Sequence, residues 1–200
     1  MHSFRSLLGA ALLSASGLVL PAFVAPAAAA AVDTAEPGKF IETLTDEGFR
    51  VLRSNSRDAA RGQFRTLLSQ YFAIDQIGDR LLGKWRAQIT PAQYSAYKAA
   101  FPGFLIGTYS DRLYEYGKSD VKVVRVVPRG NSAVVMSQVI QPGAAPITAL
   151  WTVDRMGSGY QVSNLTVAGI NLAVTQAADF DSYIQRNGID KLIAFMKSRG

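Results

Sequence analysis

Asp111 and Glu115 stand four residues apart, a spacing that sets two carboxylates on one face of a helix, where such a pair could hold a metal ion or share acid–base work. Arg112 and Lys118 flank them, which makes a solvated ion-pair face the better reading. Gly78-Asp79-Arg80-Leu81-Leu82-Gly83-Lys84-Trp85 nearly spells a phosphate-binding loop. That loop needs Ser or Thr after the Lys to ligand magnesium and a strand before it. Trp85 cannot be that ligand, and the residues before it have helical spacing, so nucleotide binding falls away. Asn164-Leu165-Thr166 has the form of a glycosylation sequon but falls within a β-rich run.

The rest of the usual catalytic repertoire is missing. The chain has no Cys and one His, which is His2. Disulfides and thiolate metal sites are therefore excluded. Residues 1–30 read as a cleaved secretory signal: Arg5 is the positive start, Leu7 to Leu20 the apolar run, and Pro21 to Ala31 a small-residue stretch with Ala-x-Ala frames. Spanning a bilayer takes about 20 apolar residues, and Pro21 and Pro26 interrupt the run within that distance. Without that segment the chain also loses His2, and with it any Ser-His-Asp triad or imidazole ligand. The expectation is a protein that is not an enzyme and carries no metal or cofactor. Cleavage removes one of 21 basic residues and none of the 15 acidic ones, so residues 31–200 keep a charge of +5. The basic residues are scattered rather than clustered among exposed aromatics, which argues against nucleic acid.

The elements that must position any site follow from periodicity. Pro37 opens an amphipathic run with Phe40, Ile41, Leu44, Val51 and Leu52 on one stripe, and Ala60, Phe64, Leu67, Leu68 and Tyr71 form a second. Ile77, Leu81 and Leu82 make a short third helix that Gly83 can close. Thr90-Pro91-Ala92-Gln93 spells a capping box ahead of a long helix through Phe101, Phe104 and Tyr109 to Tyr116. Pro102 and Gly103 should kink it. Gly103 and Gly107 also form a G-x-x-x-G stripe, which in a soluble chain lets a neighbouring backbone approach; together with Pro102 they would loosen the segment as a hinge for cargo entry. From Gly117 the period changes to two. Val121 to Val127, Ser132 to Ile140, Ile147 to Val153 and Tyr160 to Val167 are β-rich runs joined by connections too short for parallel crossovers. Two final helices are separated by Asn187-Gly188.

The predicted fold is α+β: a curved four-stranded antiparallel sheet with N- and C-terminal helices packed over it, cone-shaped and nuclear-transport-factor-2-like, in one domain over residues 31–200. If an apolar cavity lies between helices and sheet, its walls are Phe72, Leu81, Leu82, Phe104, Leu105 and Tyr109 on helices and Val135, Trp151, Val153, Leu165 and Val167 on strands. Each of these could equally be ordinary core. Cone folds also house isomerases and dehydratases, which here would have to work with Asp and Tyr alone.

Several segments, in colinear order, resemble the MlaC family, the toluene-tolerance proteins. They are Phe72-Ala73-Ile74-Asp75, Leu82-Gly83-Lys84-Trp85-Arg86, Thr90-Pro91-Ala92-Gln93, Phe101, and Thr108-Tyr109 with Leu113, Glu115 and Tyr116. Val167-Ala168-Gly169-Ile170-Asn171-Leu172, Phe180 and Gly188-Ile189-Asp190-Lys191-Leu192-Ile193 continue the resemblance to the C-terminus. It implies a soluble periplasmic carrier that shuttles phospholipid between an outer-membrane lipoprotein complex and an inner-membrane ABC transporter complex, so maintaining outer-membrane lipid asymmetry, with the acyl chains held between helices and sheet. Gln176 and Ala177 stand where the family often has a Tyr-Arg pair, and Asn164 where it often has Asp. These departures keep a hopanoid or other apolar lipid open as the cargo.

Overall fold

The computed structural model describes residues 31–53, 56–115 and 117–200, without the side chains of 110–116. The export signal expected over residues 1–30 and the Asp111/Glu115 carboxylates lie outside the described residues.

The helices form where the sequence places them. α1 (Pro37–Leu52) starts at its proline, and α2 (Arg57–Tyr71) is capped by Ser56, whose hydroxyl accepts from the Ala59 amide. α3 (Ile74–Leu82) ends at Gly83, whose φ of +50° a residue with a Cβ adopts only under strain. A 3-10 turn over Gly83–Ala87 follows, which periodicity does not predict. α4 (Pro91–Glu115) opens with the capping box: the Gln93 amide donates to Thr90 Oγ1 at 3.2 Å while Gln93 Oε1 accepts from the Thr90 amide at 3.0 Å. The helix is continuous through Pro102. α5 (Leu172–Asn187) and α6 (Ile189–Arg199) are split by Gly188, whose φ is +81°.

β1 (Asp120–Arg129), β2 (Ser132–Ile140), β3 (Ile147–Met156) and β4 (Gly159–Val167) form the expected antiparallel meander in sequence order. The sheet has five strands rather than four. Past the Ala168-Gly169 turn, β5 (Ile170–Asn171) folds back on β4, too short to leave a periodic signal. Val124 in β1 and Ser163 in β4 are extra residues in the register, and bulges of this kind bend a sheet. Register and alternation give the inner face Val123, Val126, Val135, Ser137, Trp151, Val153, Val162, Leu165 and Val167.

Two packed groups hold the molecule together. In the first, Phe40, Ile41, Leu44, Val51, Ala60 and Leu67 of α1 and α2 bury Ala133, Val135, Val153, Tyr160 and Val162 of the sheet. In the second, Leu81, Leu82, Tyr97, Phe101 and Phe104 of α3 and α4 meet Phe180, Ile184, Leu192, Ile193 and Met196 of α5 and α6. α4 packs chiefly on α6 and α2, whereas β4 is flanked by α3 and α5. At the sheet's edge the Ala73 amide donates to the Val162 carbonyl at 2.9 Å, tying the α2–α3 joint to β4.

Tyr97 is fully buried in the second group and its phenol donates to the Gly78 carbonyl at 2.9 Å. Burial, followed by the nearby Asp79 charge, pushes its ionisation well above the ordinary phenol range. Because the unfolded phenol ionises near ~10 and the folded one later, the stabilisation from this group is complete below that pH and is lost as pH rises above it. Urea midpoints measured at pH 8 and pH 11 should therefore differ more for wild type than for Tyr97→Phe. At pH 8 the variant should itself be weaker by about 1 kcal/mol, because the Gly78 carbonyl loses its donor.

Candidate functional site

Trp151 divides the inner face of the sheet. It stands opposite Val135 on one side and Leu165 on the other. Its indole N–H donates to Ser137 Oγ at 2.9 Å, and Ser137 is fully buried. Toward the β3–β4 turn, Val153 and Val162 lie sealed beneath α1 and α2, as does Val135 in the row of Trp151 itself. Toward the other end, Val121, Val139 and Val167 are only half-buried, as is Leu165 on the β4 side of Trp151. The aliphatic inner face thus runs on past the part that the first group closes.

The eleven residues read from the sequence as walls separate accordingly. Val135 and Val153 are fully buried in the first group, with Phe72 and Trp151 packed against it. Leu81, Leu82 and Phe104 are buried in the second group, with Leu105 packed against it. Tyr109, Leu165 and Val167 are half-buried. Tyr109 reaches from α4 to α5, where its phenol donates to Gln176 Oε1 at 3.1 Å. These eleven side chains are therefore not brought into one continuous lining: two sets sit in separate packed groups, and three stand at partly open positions.

Sequence reasoning missed Ser137 and the bond to Gln176. The signal for Ser137 was present, since it falls in the apolar phase of its strand and a buried Trp needs an acceptor within reach. No local signal joins Tyr109 to Gln176, which are 67 residues apart.

A depression of about 390 Å³ opens between α4, α5 and α6, and Phe104 is the one wall residue from the sequence reading that lines it. Asp179, Ser182, Arg186 and Arg199 also line it, and walls of this charge do not suit acyl chains. A second, also about 390 Å³, lies between the first turn of α4 and α6, with Gln93, Asp190 and Lys197 in its walls.

The near-phosphate loop begins as helix, as its spacing required, and ends in the 3-10 turn, and its residues act as fasteners. Trp85 Nε1 donates to Asp181 Oδ1 at 2.7 Å, and Lys84 Nζ lies 2.8 Å from the same oxygen. Hydrogen bonds from Lys84, Gln185 and Trp85 hold the Asp181 carboxyl below its usual range. Tyr94 Oη donates to Asp79 at 2.7 Å, with the Arg86 guanidinium 3.5 Å over its ring. Gln93 Nε2 donates to the Asp190 carboxylate at 3.0 Å, joining the capping box of α4 to α6. Among the described residues no group of His, Asp or Glu could hold a metal ion, and no helix is long and apolar enough to cross a membrane.

The fold has a known counterpart. The phospholipid-binding protein from Ralstonia solanacearum, whose structure holds a phospholipid, superposes with a TM-score of 0.69 over 84% of this chain and 97% of that one, at 21% identity. The toluene tolerance protein ttg2D of Pseudomonas putida is 28% identical over 108 residues, which is 54% of this chain and 50% of that protein. The chain thus spans about half the length of this curated relative. The family model described as MlaC protein matches residues 42–198, from the first turns of α1 to the end of α6. With all six helices and every strand inside or overlapping that match, the chain belongs to the MlaC protein family.

Proposed function

We propose that this chain is a periplasmic phospholipid carrier, exported by residues 1–30, released as a single domain, and acting without catalysis. In this reading it shuttles glycerophospholipid between an outer-membrane lipoprotein complex and an inner-membrane ABC transporter complex and so maintains outer-membrane lipid asymmetry. The carrying observation is the inner sheet face from the Trp151 row onward, where Leu165, Val167, Val121 and Val139 are half-buried and α4 has its main partners in α6 and α2. Membership of the MlaC family and the phospholipid held by the Ralstonia protein of the same fold support it.

The physical need is clear. At about 0.8 kcal/mol per buried methylene, two acyl chains leave a bilayer very slowly unless a soluble protein offers them an apolar enclosure. The chains would lie along that face, with Tyr109, Leu105 and Trp151 around them. Nothing here calls for a charged socket, because a headgroup left in water keeps its own solvation.

Purification without detergent, followed by solvent extraction and mass spectrometry, tests the reading. The expected result is about one glycerophospholipid per protein, and Leu165→Trp should reduce the recovered lipid while the melting temperature holds. Recovery of a hopanoid would keep the carrier and change its cargo. Absence of any lipid, together with no uptake from phospholipid vesicles, would sink the reading.

A further inference from the structure

The sequence contains no charged residue from Gly130 to Val153, nor from Met156 to Ala178. The structure gathers the middle parts of these stretches at one end of the sheet. There β2 stops at Ile140, the β2–β3 loop crosses at residues 141–146, and the Ala168-Gly169 turn leads into β5 and the first turn of α5. The Ala168 amide donates to the Thr148 carbonyl at 3.0 Å, which joins this turn to the start of β3. Apolar side chains are left outward at this end: Val174 is 66% exposed, Ile170 57% and Ile140 39%. Ala144 and Ala145 of the loop are exposed beside them.

The flank of this end is basic. β1 begins opposite Ile140, and Lys118 and Lys122 are exposed there. The one acid among them, Asp120, has Arg53 Nη2 at 3.5 Å. Gln176, which Tyr109 bridges from α4, follows Val174 by two residues on α5, so the uncharged end borders the half-buried inner face.

We propose that this charge-free end seats on an anionic lipid bilayer, with Ile140, Ile170 and Val174 entering the boundary between headgroups and acyl chains and Lys118 and Lys122 resting on lipid phosphates. The inference rests on the carrier reading above and names the surface that seats the carrier on the membrane in which its partner complexes lie. Two features favour lipid over a protein partner. Protein interfaces draw their binding energy from aromatic residues and Arg, and the exposed residues of this end are aliphatic, small or hydroxylic. An uncharged aliphatic tip beside lysines is also the pairing that a bilayer with anionic headgroups complements on both counts.

Flotation with protein-free vesicles of phosphatidylethanolamine and phosphatidylglycerol (7:3) tests it. Wild type should float with these vesicles. The double variant Ile170→Asp/Val174→Asp should bind about tenfold less well, since each carboxylate must be kept out of the apolar boundary. Its fold should hold, because both sites are exposed and an acid at the third position of α5 suits the helix N-terminus. Lys118→Gln/Lys122→Gln should weaken binding roughly fivefold per lysine, with no effect on vesicles lacking phosphatidylglycerol.

The proposal is overturned if wild type does not float, or if the double Asp variant floats equally well. Binding to vesicles that requires added membrane proteins overturns it in favour of a protein partner. Lipid extracted from both proteins in equal amount leaves the carrier reading standing whichever way flotation falls, whereas lipid in neither removes the carrier reading itself.

Discussion

Phe180→Ala should lower the stability of the protein by about 3–5 kcal/mol, the range for removing a buried aromatic side chain. Phe180 is 2% exposed and holds three helices at once from α5. Its ring lies 5.6 Å from Phe104 and meets Tyr97 edge-on at 6.3 Å, both on α4, while Leu192 and Met196 of α6 share the same packed group. No single neighbour can fill the space, because Tyr97 is held by its bond to Gly78 and its stack on Phe101 and Phe104 by its contact with Phe195. At about 2–4 °C per kcal/mol for a domain of this size, the melting temperature should fall by roughly 6–20 °C. Phe195→Ala should cost less, since Phe195 is packed against the edge of this group rather than buried in it. Equal melting shifts for the two variants would contradict this account of the core.

Gly107→Ala should destabilise, although Ala is the better helix former by about 1 kcal/mol. A Cβ at Gly107 would stand 1.5 Å from the Arg199 carbonyl oxygen, and no rotamer change moves a backbone atom. The last turn of α6 must then lift from α4, at a cost of about 1–3 kcal/mol, typical of overpacking. Gly103→Ala gives an internal comparison. Its Cβ would meet the Gly200 Cα at 3.1 Å, which a few tenths of an ångström of movement relieves. Melting curves should rank wild type above Gly103→Ala and that above Gly107→Ala. Amide exchange should quicken in residues 195–200 of the Gly107 variant. A Gly107→Ala protein as stable as wild type would mean that α6 is not seated on this stripe.

The same contact supplies the neighbouring backbone that the G-x-x-x-G stripe calls for: Gly103 and Gly107 are the groove into which the end of α6 is laid, so their missing side chains serve close approach. The motif residues also serve packing. Trp85 and Lys84 fasten to Asp181, Gln93 to Asp190, and Tyr94 to Asp79. Much of what makes the sequence resemble its family therefore holds helices to one another.

Local signals determined most of the elements. Pro37, the Thr90–Gln93 box, Gly83 and Gly188 act within a few residues of themselves, and so α1, the start of α4 and the ends of α3 and α5 could be read directly. Period-two alternation and short connections likewise determined the antiparallel meander, because hairpin geometry leaves no other route. The missing Cys and near-absent His set the limits on chemistry by composition alone. Tertiary structure decided which apolar residues are core and which border open space. Val135 and Leu165 look alike in an alternating strand and flank Trp151 in one row, yet Val135 is sealed by α1 and α2 while Leu165 is half-buried. Burial of a strand residue depends on what lies over the sheet, and α1 comes from nearly a hundred residues away in the sequence. No pattern within a strand can encode that distance, and neither the bond from Tyr109 to Gln176 nor the seat of α6 on Gly107 exists until the helices have docked.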